Sequence, residues 1–340
     1  MRFHFTEYNS SQRKQYINIG QLYEYYIQKK QEYLRNYQVS MYWKKAGGKR
    51  YLTKKHSASN RVISLGVESE KTHKIYENFM QHKKRIKEDL KELEAKLDKN
   101  YKLNKIEHLT RVPAALVNIY RKINELGLDE KMILIGTNAL YAYEAYCGVF
   151  IDEEYLATED IDLLNKKNSS VSVLFTEVVP KNKLTELLKL IDKSFVPDVQ
   201  VPYRFRNKEG TILEILTPVE EQKFFKKQKD KDSFTDILEL SMEGMQWLGN
   251  SRIFKSMVVA DNGKCALLST IHPLEFSVYK KWLSTVKNRN ILKKNRDHEQ
   301  SKLVTQLIQE YMVNIDIAKE LKSMKHFKSE VVEIYIKDIF

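Results

Sequence analysis

Two kinds of apolar pattern alternate along this chain, and the places where one gives way to the other outline its elements. Residues 12–38 are rich in Tyr, Gln and Lys, and the absence of Gly or Pro between Gln21 and Gln38 predicts a helix. Met41–Lys45 and Lys49–Thr53 are β-prone runs on either side of Gly47-Gly48, the signature of a hairpin. A third short strand, Arg61–Leu65, follows a polar loop at Ser57–Asn60. From Ser69 to about Asn100 the chain is highly charged and helical in pattern, with Ser69 or Thr72 as its cap. So few apolar positions predict a long exposed helix or one half of a helical hairpin.

Beyond Pro113 the texture is that of a mixed α/β unit. Residues 112–127 predict an amphipathic helix ending at Gly127, Met132–Ile135 a buried strand, and Ala139–Tyr146 a second helix. Further strands are expected at Ile161–Leu164, Val171–Phe175 and Thr211–Leu216, with a hairpin of Ile253–Val259 and Lys264–Leu268 around Asp261-Asn262-Gly263. From His272 onward the chain reads as helical, with breaks near Asn288–Asn295 and Val313–Asp316. The division that follows is a basic helix-and-hairpin domain at 1–111, a core at 112–270 and a helical region at 271–340.

Charge sharpens that division. Residues 1–111 hold 25 Lys+Arg against 12 Asp+Glu, whereas residues 112–340 hold 33 of each, so the whole net charge of +13 is N-terminal. Nine of the 20 tyrosines lie in the first 51 residues, among them Tyr42 and Tyr51. Basic residues interleaved with aromatics suit phosphate neutralisation combined with base stacking, which makes a nucleic acid the expected partner of residues 1–111; the alternative is a small domain packed by tyrosines and solvated by lysines. Two isolated cysteines, Cys147 and Cys265, make neither a disulfide framework nor a cysteine-rich zinc site, and the start has no apolar leader core. No run approaches a membrane span, so a cytoplasmic protein with no membrane partner is expected. There is neither a phosphate-binding Gly-x-x-x-x-Gly-Lys loop nor a Gly-x-Gly-x-x-Gly fingerprint, and the eight histidines show no metal spacing with Cys.

The candidate chemistry lies in carboxylates. Asp160 and Asp162, separated by one residue on a predicted strand, project to one face, while Ile161 and Leu163 turn to the other. Glu214 interrupts the otherwise apolar run Thr211–Leu216, where a charge is costly unless it is paired or binds metal. Three such carboxylates are the oxygen-rich set that a pair of Mg2+ ions needs for phosphoryl transfer. Gly136-Thr137, between an apolar strand and a helix, suits the binding of phosphate oxygens, or forms a plain turn with Thr137 as N-cap. Lys280 falls on the helix after Pro273, and Arg289, Lys293, Lys294 and Arg296 form a second basic cluster; Lys280 alone reads rather as an exposed helix lysine, and Asp297 as a structural partner of these bases.

The runs GTNALYAYEAYCGV and ATEDIDLL resemble the nucleotidyltransferase core of the DNA polymerase beta superfamily. With MYWKKAGGKRYL, SLGVESEKTHKIYENF and HPLEFSVYKKWLSTVKNRNILKKNRDHEQ, the chain more closely resembles a bacterial family of nucleotidyltransferase-like proteins related to the toxins of abortive-infection and toxin–antitoxin systems. That resemblance implies an α+β fold: a mixed sheet with flanking helices, a helical C-terminal region and the small N-terminal domain. It also implies that Gly136 and Thr137 hold the phosphates of an incoming NTP and that Asp160 and Asp162 bind the metals. Glu214 would orient or deprotonate the acceptor, Lys280 would meet the triphosphate, and Arg296-Asp297 would match a late Arg-Asp motif. Thr137 stands where Ser is usual, the gap to Asp160 is longer, and Glu214 replaces an Asp, so an inserted loop has to be accommodated.

The activity so implied is Mg-dependent transfer of a nucleoside monophosphate from NTP to an acceptor hydroxyl, with RNA, foremost tRNA, as acceptor and an antitoxin as a further partner. Transfer to a protein or a small molecule is a second reading. A non-catalytic nucleic-acid-binding protein on the same fold, with the Met41–Thr53 hairpin as its reader, is a third.

Overall fold

The computed structural model describes residues 2–56, 62–156, 158, 160–165, 188, 189, 191–199, 201, 204–216 and 242–339. The strand expected at Val171–Phe175 lies outside them. A short β1 (Thr6–Glu7) leads into α1 (Ser10–Glu32), which opens with a reciprocal cap: the Asn9 side chain accepts from the Gln12 amide, and the Gln12 side chain accepts from the Asn9 amide. A π-helical turn over Tyr33–Tyr37 delivers the chain to β2 (Val39–Ala46), β3 (Lys49–His56) and β4 (Val62–Val67), an antiparallel sheet in the order β2-β3-β4. Gly47 and Gly48, at φ +55° and +73°, make the tight turn of the expected hairpin. Ser69 then caps α2 (Glu70–Ile106), with Thr72 as its partner in the box rather than as the cap.

The two long helices run antiparallel. Gln15 Nε2 donates to Asn104 Oδ1 at 2.8 Å near one end, and Tyr26 reaches Glu94 Oε1 at 3.3 Å farther along. Between them Ile19, Tyr23, Leu90 and Leu97 are buried, so α2 is half of a helical hairpin whose apolar positions are few but aligned. The pair rests on the central sheet: Tyr16 OH donates to the carbonyl of Met257 at 2.9 Å, and Asn104 Nδ2 to that of Gly263 at 2.8 Å. The three-stranded sheet sits at the other end, where Trp43 stacks against His73 and Tyr76 of α2. Tyr76 and Asn104 lie 28 positions apart on α2, which puts that sheet about 40 Å along the helix from the Gly263 contact.

The central sheet has the order β11-β12-β5-β7-β10-β9-β8. Its strands are β5 (Met132–Ile135), β7 (Asp160–Asn165), β8 (Val196–Pro197), β9 (Arg204–Arg206), β10 (Ile212–Leu216), β11 (Ile253–Val259) and β12 (Cys265–Ile271), while β6 (Val149–Phe150) pairs with β1. β5 runs parallel to β12 and antiparallel to β7, and β7 runs parallel to β10, so the sheet is mixed. α3 (Ala114–Leu126), ended by Gly127, covers β12 through Leu116, Tyr120 and Ile123, all fully buried; Tyr120 OH donates to the carbonyl of Ser269 at 2.9 Å. α4 (Leu140–Cys147) and α5 (Met242–Asn250) add to the helical layers.

Four helices follow the sheet: α6 (Pro273–Thr285), α7 (Ile291–Tyr311), α8 (Ile317–Ser323) and α9 (Ser329–Ile339). The break expected at Asn288–Asn295 is shorter than its composition suggests. Asn290 acts as an N-cap, accepting from the amide of Leu292 at 2.9 Å, and the basic run that follows forms the first turns of α7. No helix among the described residues is long and apolar enough to cross a membrane.

Candidate active site

Pairing of β7 with β10 assembles the carboxylates. In their register Ile212 lies opposite Asp160 and Glu214 opposite Asp162, so the three acids share one face. Ile161, Leu163, Leu213 and Ile215 fill the other face and are buried, which fixes the register because a shift of one residue would drive the acids into the core. On its other side β7 meets β5, with Ile135 opposite Asp162. The chain leaving β5 therefore passes directly over Asp162 at Gly136.

Gly136 has φ +69° and ψ −163°, a conformation that is essentially glycine's alone. A Cβ there would lie 2.5 Å from Asp162 Oδ2. The next three residues form a short 3-10 turn, and neither Gly136 nor Thr137 supplies a side-chain cap to it. Instead the buried Thr137 hydroxyl accepts from Gln300 Nε2 at 3.2 Å, the same amide that donates to the carbonyl of Tyr155 at 3.1 Å. Asn138 Nδ2 donates to the backbone carbonyl of Asp160 at 2.7 Å and ties this turn to the start of β7.

Burial, and after it the crowding of like charge, sets the electrostatics. Burial, then the neighbouring Glu214 and Asp160, push the Asp162 carboxyl up to about 7, and Lys280 and Arg296 pull against that rise. Burial also raises the Glu214 carboxyl, opposed by Arg204. Arg204, on β9 beside β10, donates from Nε to Glu214 Oε1 at 2.8 Å and places Nη2 2.6 Å from the same oxygen. The charge that the apolar run could not tolerate unpaired thus has a guanidinium partner ten residues before it, on the neighbouring strand.

Helices α6 and α7 close the site from above. Lys293, Arg296, Asp297 and Gln300 recur at three- and four-residue steps on α7, one helical face. Lys280 is buried rather than exposed: its Nζ lies 2.7 Å from Asp297 Oδ1, and burial lowers its affinity for a proton. Asp297 is fully buried, with Arg289 Nε 2.5 Å from its Oδ2. Arg296 Nε and the phenol oxygen of Tyr279 are buried without hydrogen-bond partners among the described residues.

The donor set fits a hard divalent cation in kind, since burial, and then repulsion among three carboxylates on one face, raises the proton affinity of the middle one. Among the described residues no three His, Cys, Asp or Glu side chains are yet gathered tightly enough to enclose an ion. The structure brings together Gly136, Thr137, Asp160, Asp162 and Glu214, with Lys280 and Arg296 facing them through their effect on Asp162; Asp297 lies behind, bound to Lys280. Sequence reasoning missed Arg204, Asn138 and Gln300. Each is a polar residue whose partner is distant in sequence, and only an unexplained charge at Glu214 signalled that such a partner must exist.

Comparison with known families matches residues 114–325, well over half of the chain, to the family described as Nucleotidyltransferase. The match begins where α3 begins and takes in every residue of the site. No curated protein and no solved structure matches the chain.

Proposed function

The chain belongs to the nucleotidyltransferase family and is an enzyme of that type, and from that premise we propose that it moves a nucleoside monophosphate from an NTP to a hydroxyl of RNA, foremost tRNA. The observation that carries this reading is the shared face of Asp160, Asp162 and Glu214 beside the Gly136-Thr137 turn. A magnesium pair held by Asp160 and Asp162, with Glu214 adjoining, would supply Lewis-acid stabilisation of the transferring phosphoryl group. The remaining work falls to the chain itself.

Because Thr137 accepts from Gln300, its own O–H is left to donate to a phosphate oxygen, and the missing side chain at Gly136 lets the Asp162 carboxylate lie against this turn. Arg296 and Lys280 would neutralise the triphosphate, with Asp297 positioning Lys280 and Arg289. The acceptor oxygen forms a bond to the α-phosphorus, the bond from that phosphorus to the bridging oxygen of the β-phosphate breaks, and pyrophosphate leaves with the electron pair. Glu214, fixed by Arg204, takes the acceptor proton.

The basic segment 1–111 supports RNA as the acceptor over a protein or a small molecule. Each of the four NTPs, labelled at the α-phosphate, is incubated with Mg2+ and total RNA or total protein. RNase-sensitive label that the Asp160→Ala/Asp162→Ala variant does not produce is the expected result. Label that survives RNase and follows a protein band would move the acceptor to protein, and no label above the variant would refute nucleotidyl transfer. A toxin role adds one expectation: production of the wild type in cells arrests growth, and the double variant does not.

A further inference from the structure

Six of the 22 residues in β2, β3 and β4 are Lys or Arg, and none is Asp or Glu. Of the six, only Arg50 has a carboxylate partner, Glu68 at 2.8 Å. Among the described residues Lys44, Lys45, Lys49, Lys54 and Lys55 make no ion pair. The three strands thus carry six positive charges and no negative one, and Glu68 is the carboxylate paired with them among the described residues.

Strand register sorts these residues by face. Trp43 and its cross-strand partner Leu52 turn inward, Trp43 onto α2 and Leu52 fully buried. The alternate positions of β2 lie on the other face: Tyr42 opposite the buried Thr53, Lys44 opposite Tyr51, and Ala46 opposite Lys49, with Ser40 opposite Lys55 at the far end. Among the described residues no helix is seen to cover that face, which stands at the end of α2 away from the central sheet. Tyr42 is 38% exposed, so its ring offers a face to a flat ligand.

We propose that the outer face of the β2-β3-β4 sheet binds single-stranded RNA, with bases stacked on Tyr42 and Tyr51 and phosphates on Lys44, Lys49 and Lys55. Lysines without carboxylate partners match a polyanion, and two aromatic rings a strand apart match successive bases that have left a duplex. A paired helix hides its bases and would use the lysines only. The proposal rests on RNA being the acceptor, and it makes this sheet the part of the enzyme that grips it, on an arm outside the family-matched residues 114–325.

The test is fluorescence anisotropy with full-length protein and a labelled 12-nucleotide single-stranded RNA of mixed sequence, without NTP, at two salt concentrations. Tyr42→Ala/Tyr51→Ala is expected to weaken binding at least tenfold while leaving the salt dependence unchanged. Lys44→Gln/Lys49→Gln/Lys55→Gln is expected to weaken it at least tenfold at low salt and to flatten the salt dependence. Circular dichroism and melting temperature confirm that each variant folds. Binding within twofold of wild type in both folded variants overturns the proposal, as does equal affinity for a duplex of the same length, or displacement by polyglutamate as effective as by unlabelled RNA. Should a variant misfold, hydroxyl-radical footprinting of the wild type decides: protection of Tyr42 and Tyr51 on adding RNA supports the site, and its absence overturns it. The Asp160→Ala/Asp162→Ala variant is expected to bind as wild type does, so a failure of RNA binding here is distinct from a failure of the transfer chemistry.

Discussion

Replacement of Gly136 by alanine isolates the tightest contact in the site. Two costs follow from the structure. The backbone at φ +69° and ψ −163° is strained for any residue with a Cβ, by about 1–3 kcal/mol. The new Cβ would also stand 2.5 Å from Asp162 Oδ2, whereas such contacts are essentially never closer than 3.0 Å, so the carboxylate has to withdraw by at least about 0.5 Å. A misplacement of about 1 Å costs about a hundredfold in rate, so this one is expected to cost tenfold to a hundredfold in kcat. Gly127→Ala is the control: its φ is +67°, close to that of Gly136, but its nearest contact is 3.6 Å away and lies on the mobile end of Arg35. Gly136→Ala is expected to lose more stability than Gly127→Ala, whose ψ of 37° keeps it in the left-handed region that other residues can enter, read as a shift in urea midpoint, and only Gly136→Ala to lose rate in the labelled-NTP assay. Equal kcat in the two variants would refute the claim that Asp162 works only where Gly136 leaves it.

Three further outcomes are expected. Arg204→Ala removes the partner that Glu214 has among the described residues and is expected to lower transfer about 10- to 100-fold with RNA binding intact, as filter binding and rate together would report. Lys280→Met leaves the buried Asp297 with Arg289 alone and is expected to destabilise by about 3 kcal/mol, toward the low end for a broken buried pair, measured by urea denaturation. Burial pushes the Glu275 carboxyl up, but the bonds from His326 and Arg252 outweigh it and hold the group below its ordinary value. A depressed folded-state pKa stabilises the protein above the unfolded-state value and the gain disappears as pH falls, so the melting temperature is expected to drop below about pH 4.5, less steeply in Glu275→Gln.

Local chemistry explains which elements the sequence disclosed. The hairpin at Gly47-Gly48, the Ser69 cap, the Gly127 stop and the strand Met132–Ile135 all depend on neighbours within a few residues, and the structure has each of them. Asn290 misled because asparagine serves equally in a loop and at a helix start; the deciding contact, its side chain to the amide of Leu292, depends on the backbone having already turned. The merging of α1 and α2 into the sheet was also hidden. It rests on an apolar cluster that joins Tyr23, Leu97 and Tyr101 to Met257, Val259 and Cys265, and on polar bonds such as Tyr16 to Met257 and Asn104 to Gly263, whose partners lie more than 150 residues away.

The site followed the same rule at a finer scale. Period-two alternation was enough to place Asp160 and Asp162 on one face, but nothing local says that β10 lies parallel to β7 or that Glu214 stops opposite Asp162. The apolar residues between the acids settle that register: Leu163 and Leu213 are fully buried, and any slip would expose them and bury the carboxylates. Burial of the core and clustering of the acids are thus one event. The cost of burying and clustering these acids, visible in the raised Asp162 carboxyl, is offset by Arg204 within the sheet and by Lys280 and Arg296 from the helices. Those cations come from β9, α6 and α7, and two of the three are themselves held by carboxylates, so the core stays electrically balanced while it keeps a local acidic face. The N-terminal sheet solves no such problem, because its lysines have no acids to offset. Unmatched positive charge there and concentrated negative charge at the site are separate features of one chain, and they suit the two chemically different things a nucleotidyl transfer to RNA must hold: a polyanionic acceptor and a metal-bound triphosphate.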